Sequence, residues 1–189
     1  MSKERLLKWY DYHELPNPML LGGSTVIVPS YFGGQEVLIP GSITLKRIHS
    51  NDRIELKATI VWNFSLNSIA SPEITVATQK MQFSIWRDKP FTGERLYTVL
   101  DAGSLTELIP VGGQPTIINN SFTTSFACTD QHVKGETHNY YLTASTGGTF
   151  GFNVFIGDGG GQPIPINNIN APTITEVHFS GFVIGENKT

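Results

Sequence analysis

The strongest constraint on the fold is a period-2 alternation of apolar and polar side chains between Arg53 and Leu66. One face of this stretch is apolar and comprises Ile54, Leu56, Ala58, Ile60, Trp62, Phe64 and Leu66. The other face is polar or charged, with Val61 as the exception. Successive side chains of a β-strand point to opposite faces of the sheet, whereas those of an α-helix do not. The pattern therefore predicts a long strand with one buried face.

Further strand candidates follow at short intervals along the chain. They are Ser24–Pro29, Gln35–Arg47, Glu73–Trp86, Glu94–Leu100, Thr116–Cys128, Thr137–Ser145, Thr149–Ile156, Pro163–Ile166 and Thr173–Ile184. Turn-forming residues separate them, for example Gly33-Gly34 and Gly147-Gly148. No internal segment longer than a turn or two has a helical pattern. About nine or ten strands with regular turns predict an all-β sandwich or barrel.

Residues 1–18 have a different character and are predicted to form an N-terminal arm, with residues 19–189 as one β-domain. Four apolar side chains could share one face of a short helical turn or two, which Pro16-Asn17-Pro18 would end. Chain ends are poorly ordered unless something holds them. We expect this arm to dock on a neighbouring subunit, although packing on its own domain is equally open. The interface residues would be Leu6, Leu7, Trp9, Tyr10 and Tyr12.

The composition restricts the partners of the chain. Charged residues make up 15% of the sequence and the net charge is −3, so no basic stripe is available to neutralise phosphates, and no nucleic-acid partner is expected. No run of about 18 apolar residues occurs, which predicts no membrane span. A surface with few charges repels copies of itself only weakly. The N-terminus also lacks the apolar stretch of a secretory signal peptide.

The residue types that carry catalysis or bind metals form no recognisable motif. His13, His49, His132, His138 and His178 are scattered, whereas a zinc site commonly has a close pair of ligands. The glycine-rich segment 157–162 is followed by Pro163, which prevents the helix that a phosphate-binding loop requires. Cys128 is the sole cysteine and is interpreted as core packing. We predict no catalytic, metal-binding or cofactor-binding residues, no cofactor and no enzymatic activity.

Exposed aromatic residues offer an alternative, because many β-sandwich modules bind sugars on aromatic platforms. The candidates for such a platform are Trp86, Tyr97, Tyr140 and Tyr141. Core or interface packing is the other interpretation of these side chains, since aromatic residues are common in strands.

The last predicted strand, Val177-His-Phe-Ser-Gly-Phe-Val-Ile184, resembles the final strand of the C1q/tumour-necrosis-factor-like jelly roll. Asn139–Ala144 and Thr149–Phe152 also suit late strands of that fold. The resemblance implies a jelly-roll sandwich of about 8–10 strands, here with a short N-terminal arm. It also implies assembly into trimers through flat, aromatic-rich faces.

The stretch from Asp52 to Thr146, with Glu55–Trp62 and Phe83–Tyr97, is similar to small surface proteins of endospore-forming bacteria. Exosporium, coat and appendage proteins of spores use compact jelly rolls of this kind. They are made inside the mother cell, which accounts for an exterior location without a signal peptide. This sequence departs from spore-appendage subunits in having no cysteine in residues 1–18. Any joint made by the arm would therefore be non-covalent.

These features together predict a structural protein that assembles with itself, as a trimer or filament, on a spore or cell surface or in a fibre. Another surface protein is a possible second partner. Two alternatives remain open at this stage. One is a carbohydrate- or receptor-binding module, including a phage decoration or receptor-binding protein. The other is an enzyme on a cupin-like jelly roll, which would need a histidine-rich metal site.

Overall fold

The computed structural model describes residues 5–16, 24–29, 35–67, 73–109, 117–131, 133–156 and 170–186. This part of the chain forms nine strands and no helix. The strands are β1 (Arg5–Leu15), β2 (Val26–Ile27), β3 (Val37–Lys46), β4 (Arg53–Asn67), β5 (Glu73–Arg87), β6 (Glu94–Ile109), β7 (Ile117–Gln131), β8 (Thr137–Ile156) and β9 (Thr173–Glu186).

Two antiparallel sheets make up the molecule. The first sheet has the order β1-β9-β4-β7, with the short β2 also paired to β9, and the second has the order β3-β8-β5-β6. When β2 is set aside, the eight long strands pair as nested hairpins: first with last, second with seventh, third with sixth, and fourth with fifth. This nesting is the topology of a jelly roll, so the predicted all-β jelly-roll sandwich is confirmed.

The core lies between the two sheets and contains the apolar face predicted for β4 from Ile54 to Phe64. The even-numbered residues of this stretch are almost fully buried, whereas the odd-numbered residues that alternate with them are exposed or half-buried. Facing the even-numbered residues from the other sheet are side chains such as Ile43 and Phe83, both with no exposed surface. Burial of this alternating set is the main stabilising contribution to the sandwich.

Two predicted strands are a single strand in the structure. The segments Thr137–Ser145 and Thr149–Ile156 both belong to β8, which continues through Gly147-Gly148. The ladder between β5 and β8 shifts its register between Gln79 and Met81, opposite these glycines. The prediction of a turn there is wrong, because a glycine pair inside a paired strand forms a bulge instead. The predicted strand 163–166 and the glycine-rich segment 157–162 lie outside the described residues.

The predicted arm contains a strand, so the expectation of a short helix is wrong. Residues 5–15 form β1, which pairs antiparallel with β9 from Arg5 to Leu15. A register shift lies between Leu7 and Trp9, and after it the side chains alternate between the core side and solvent. The unpaired edge of the last strand supplies backbone partners along the whole segment, and these outweigh the weak helical preference of so short a stretch.

Candidate assembly surface

The described histidines do not converge on one site. The Nδ1 atom of His138 lies 2.9 Å from the Asp88 carboxylate, and its Nε2 atom lies 2.8 Å from the Lys134 carbonyl. In the described part of the chain, no group of three histidine, cysteine, aspartate or glutamate side chains is arranged to hold a metal ion. His132 lies outside these residues.

Cys128 lies on β7, where its side chain is half-buried and packs against the core. Burial, with a smaller contribution from the Asp130 carboxylate, raises the pKa of this thiol from 9.0 to about 11. A thiol with this pKa stays protonated at neutral pH and is a poor nucleophile. The interpretation of Cys128 as a packing residue is confirmed.

Of the four aromatic residues considered as a sugar platform, Tyr141 is partly buried and the other three are engaged in packing. Trp86 is 5% exposed and its indole donates a hydrogen bond to Thr143 Oγ1 at 2.9 Å. The Arg95 guanidinium lies 4.4 Å from the centroid of the same indole. Tyr140 is fully buried, and Tyr97 stacks on Phe126 with 6.0 Å between ring centroids. Packing, the second interpretation, describes these contacts better.

Exposed apolar side chains instead gather on the outer face of the first sheet, where β1 lies beside β9. Tyr10 is 47% exposed, Tyr12 57% and Leu7 61%. The Tyr10 ring stacks on Tyr12 at 5.8 Å between centroids and contacts Phe182 of β9 at 5.0 Å. We call Leu7, Tyr10, Tyr12 and Phe182 the apolar edge patch.

Alternation along the edge strand explains why these residues share one face. Tyr10 and Tyr12 are two residues apart, and Tyr10 is the register partner of Phe182. Leu7 is opposite Ile184 and returns to the same face because of the register shift that precedes Trp9. The bulge thus extends the patch by one residue beyond a regular strand.

The five predicted interface residues do not behave alike. Leu6 is exposed, as are Leu7, Tyr10 and Tyr12. Trp9 points the other way and packs against the core, with Lys46 and Arg47 5.7 and 5.5 Å from its ring centroid. Its role is therefore to attach β1 to its own domain. That the remaining four bind a neighbouring subunit stays a prediction.

Phe182 is the member of the patch that sequence reasoning did not select. It occupies an outward position of β9, two residues beyond the Ser180 that also points outward, in strict alternation with buried Phe179, Gly181 and Val183. This alternation is visible in the sequence. The pairing of Phe182 with Tyr10 is not visible there, because that pairing depends on residues 5–15 forming a strand.

Charged groups border the patch on two sides. The Lys57 ammonium lies 5.7 Å from the Phe182 ring centroid. At the other end, His178 contacts Glu176 at 2.8 Å and Glu14 of β1 at 3.3 Å. The hydrogen bond with Glu176 is the main cause that raises the pKa of His178, burial opposes it, and Glu14 adds to the rise. An apolar centre with a polar rim is typical of a protein interface.

A polar hollow of about 340 Å³ lies at one end of the sandwich. It is lined by Arg5, Ser50, Asn51, Asp52, Arg53, Gln131, Ile184 and Gly185. The guanidinium of Arg53 pairs with Glu55 at 2.6 Å, and the buried Asp52 carboxylate pairs with Lys8. Two of the charged groups in the lining, Arg53 and Asp52, are thus paired with residues outside the lining.

The comparisons with known proteins assign no family. No protein-family model matches the chain, and no curated protein matches it. Two solved structures of infectious bursal disease virus show a weak likeness. The Gx-strain structure is 11% identical with a TM-score of 0.21, and 98% of this chain aligns with 42% of that one. The Gt-strain structure is 10% identical with a TM-score of 0.19, and 94% of this chain aligns with 40% of that one.

This chain thus spans less than half the length of either viral chain. At TM-scores this low, the fold assignment rests on the strand order alone. As for membranes, the described residues include no helix of the length and apolarity that crossing a bilayer requires.

Proposed function

We propose that this protein is a non-enzymatic structural subunit that assembles with copies of itself, with the apolar edge patch as a contact surface. The observation that carries this proposal is the gathering of the exposed Leu7, Tyr10 and Tyr12 beside the half-buried Phe182 on one face. Single exposed apolar residues are ordinary on protein surfaces, but contiguous ones mark interaction sites. Tyrosine is also enriched in interfaces, where its ring is buried and its hydroxyl stays wet.

The surroundings of the patch favour association with an identical molecule. The patch lies on a sheet face, so two copies can meet with flat surfaces in contact. Only 15% of the residues are charged, which limits the repulsion between subunits. Tyr10 and Tyr12 are already about half buried, so covering the rest of each side chain would contribute roughly 1 kcal/mol per tyrosine.

The proposed location is an exterior surface, such as that of a spore or cell, or a fibre. Support for it comes from the resemblance of Val177–Ile184 to C1q/tumour-necrosis-factor-like jelly rolls and of the Asp52–Thr146 stretch to spore-surface proteins. A structural role on such a surface needs no cofactor, and none is part of this proposal.

Simultaneous substitution of Leu7, Tyr10 and Tyr12 by threonine tests the patch in the full-length protein. Threonine suits a strand and leaves the backbone pairing with β9 in place. We expect the Kd of the assembly to rise at least about tenfold. This corresponds to a loss of about 1.4 kcal/mol in the free energy of association. Sedimentation velocity and light scattering measure this directly.

A matched control is available on the second sheet. Leu100 of β6 is 67% exposed and Leu38 of β3 is 40% exposed. Replacing these two with threonine removes exposed apolar surface away from the patch, and should leave association through the patch unchanged. If the patch variant keeps the wild-type particle mass while circular dichroism shows it folded, the patch is not an assembly surface.

A further inference from the structure

Four strands form the long edges of the two sheets, and three of them carry features that block pairing with another chain. β1 carries Arg5, Lys8, Asp11 and Glu14 and has a register shift. β3 contains Pro40-Gly41 and also shifts its register. β6 carries charged residues along its length, including Arg95 and Asp101. Charges, prolines and bulges are the usual protection of a sheet edge against pairing with another chain.

The fourth edge strand, β7, has no proline, no register shift and no charge on its outward face. It contains no proline, lysine, arginine or glutamate, and its fifteen residues pair with β4 without a register shift. Its one charged residue, Asp130, is 5% exposed and turns into the sandwich, where it binds Arg87. Outward-facing residues in the middle of the strand are small and neutral, namely Ser121, Thr123, Ser125, Ala127 and Thr129. In the described part of the chain, no strand pairs with the far side of β7.

Hydrogen bonds of the neighbouring strand show which groups of β7 are free. The carbonyl of Ser65 on β4 accepts the N–H of Asn170, on the side where β9 lies. In an antiparallel strand, the backbone N–H and C=O groups of successive residues point alternately to the two neighbouring strands. The backbone groups of odd-numbered residues of β4 therefore bond to β9, and those of even-numbered residues bond to β7. The register then makes the even-numbered residues of β7 bond to β4, because Ile60 is opposite Thr124.

The odd-numbered residues of β7 consequently present their N–H and C=O groups to the open edge. Two side-chain contacts agree with this assignment. The N–H of Ser121 binds the side chain of its own neighbour, Asn120, at 2.9 Å. The hydroxyls of Thr59 and Ser125 are 3.0 Å apart, as expected for the closer, non-hydrogen-bonded pairs of an antiparallel ladder.

We propose that β7 pairs antiparallel with β7 of a second copy of this chain, so that the first sheet continues from one subunit into the next. This inference builds on the proposed function and supplies a second contact surface for it. The pairing uses the free N–H and C=O groups of Thr123, Ser125 and Ala127 as ladder partners.

A second copy fits this edge because the edge is complementary to itself. A two-fold axis across an antiparallel pair sets each N–H of one strand against a C=O of the other, and the same surface serves both partners. A continuous ladder also needs a partner strand that is long, straight and uncharged. Among the described edge strands only β7 meets this requirement, because the other three are charged or bulged.

The partly buried side chains along the same side add an apolar component. Tyr97 of β6 is 39% exposed and stacks on Phe126 of β7, where the two sheets meet at this edge. Phe122 and Phe126 pack against the core but are only partly buried. A second subunit at β7 would cover these rings as well as the backbone groups.

The positions of the two contacts on the subunit determine the shape of the assembly. β1 and β7 are at opposite edges of one sheet, so the apolar edge patch and the β7 edge lie on opposite sides of the subunit. Contacts at both edges can repeat from subunit to subunit without closing. Blocking either contact should therefore leave a small species held by the other contact, and blocking both should leave a monomer.

The test uses Thr123→Lys/Ser125→Lys in the full-length protein, because two charges at a sheet edge oppose pairing with an identical edge. The matched control is Thr59→Lys/Val61→Lys, which places the same charges on the same face one strand further in. Thr59→Lys also removes the contact with Ser125. We expect sedimentation velocity to show a loss of higher assemblies for the β7 variant and a near-wild-type distribution for the control.

A backbone variant separates loss of pairing from loss of fold. Ser125→Pro removes a hydrogen-bond donor that faces the open edge, and leaves the ladder with β4 intact. Hydrogen exchange of the wild type provides the direct readout: the amides of Thr123, Ser125 and Ala127 should be protected in the assembly and exchange at least about tenfold faster in the diluted monomer, in line with loss of their hydrogen bonds.

The outcomes distinguish this inference from the proposed function. If the β7 variants keep the wild-type assembly while the patch variant loses it, the β7 pairing is wrong and the proposed function stands. Equal exchange of the odd-numbered amides in assembly and monomer would also overturn the pairing. A wild-type protein that remains a monomer at all concentrations would overturn both proposals.

Discussion

The two edges of the first sheet are closed in different ways, although each lies next to an edge strand of the other sheet. At the β1 edge, the Asp11 carboxylate accepts the Thr44 N–H of β3 at 2.6 Å, so the two sheets are joined by a polar bond. At the β7 edge, the described contacts with β6 join side chains: Phe122 lies beside Gly103, Tyr97 stacks on Phe126, and the Thr124 hydroxyl donates to the Asp101 carboxylate. The contact at the first edge thus uses a backbone N–H of β3, whereas the contacts at the second edge are made by side chains and ring packing.

Each edge strand is also held at one end by a buried carboxylate. For β1 this is Asp52, 5% exposed, which accepts hydrogen bonds from Lys8 and from the His49 N–H at 2.8 Å. For β7 it is Asp130, whose carboxylate binds Arg87 at 2.8 Å and Tyr140 at 3.0 Å. Both edge strands are therefore attached inside their own subunit. They differ at their open sides, because β1 carries charges and a register shift along its length and β7 does not.

The largest expected effect comes from breaking the buried attachment of β7. Asp130→Ala leaves the fully buried Tyr140 hydroxyl without an acceptor and removes the main partner of Arg87. Breaking a buried ion pair by removing one partner costs about 3–5 kcal/mol. Because Arg87 also pairs with Glu94, we expect the lower part of this range. Urea denaturation measures the loss in free energy of unfolding.

Asp11→Ala on the other edge strand serves as the comparison. It removes a partly buried hydrogen bond to Thr44, for which we expect a loss of only about 1 kcal/mol. If the two substitutions destabilise the protein equally, the Asp130 carboxylate attaches β7 no more firmly than the Asp11 carboxylate attaches β1 to β3.

The next effect concerns the glycines over which the two edge strands pack. A Cβ atom on Gly103 of β6 would lie 2.5 Å from the Phe122 ring, and one on Gly41 of β3 would lie 2.0 Å from the His13 ring. Overpacking of this kind costs about 1–3 kcal/mol. Gly41 also has a φ of +102°, which strains any other residue by about 1 kcal/mol or more.

Gly41→Ala should therefore lower the melting temperature more than Gly103→Ala. Gly135→Ala is a useful control for backbone strain, since Gly135 has a φ of +110° but its added Cβ would come no closer than 3.1 Å to another atom, in His138. Equal losses for Gly41→Ala and Gly135→Ala would show that backbone strain alone, without the His13 contact, determines the effect at the β1 edge.

The fold could be predicted from local sequence patterns, whereas the residues of the candidate surface could be predicted only in part. The alternation from Arg53 to Leu66 predicted β4, because a half-buried strand repeats every second residue. The same reasoning did not detect β1, whose Leu6-Leu7 pair and bulge break the alternation. Leu7, Tyr10 and Tyr12 were predicted as interface residues on the basis of composition, and the structure shows them exposed on one face.

Trp9 and β7 show why the rest could not be predicted. Trp9 is as apolar as its neighbours, and only the register with β9 decides that it points inward. The absence of charge along β7 is visible in the sequence, but an edge strand and a central strand cannot be distinguished until the strand order is known. β8 is nearly uncharged as well, yet it has partners on both sides. Long-range pairing, which local sequence does not encode, separates the two cases.

The smallest expected effect is a pH dependence confined to the β1 edge. Protonated His178 bridges Glu176 and Glu14, and its pKa in the folded protein is raised above 6.5. A raised folded-state pKa stabilises the protein fully below pH 6.5, and this contribution is lost as the pH rises through the folded-state value. His178 is half exposed, so we expect only a few tenths of a kcal/mol.

The difference in unfolding free energy between about pH 5.5 and pH 8.5 should be smaller in His178→Gln than in the wild type. Only the wild type has a histidine here that deprotonates over this pH range and thereby loses its ion pairs with Glu176 and Glu14. The outer face of β7 carries no titratable side chain between Ser121 and Thr129, so the assembly contact proposed there should not change over the same range. Sedimentation of the patch variant at both pH values checks this, because it retains only the β7 contact. A strong pH dependence in that variant would mean that its remaining contact involves a charged surface, and not the neutral edge of β7.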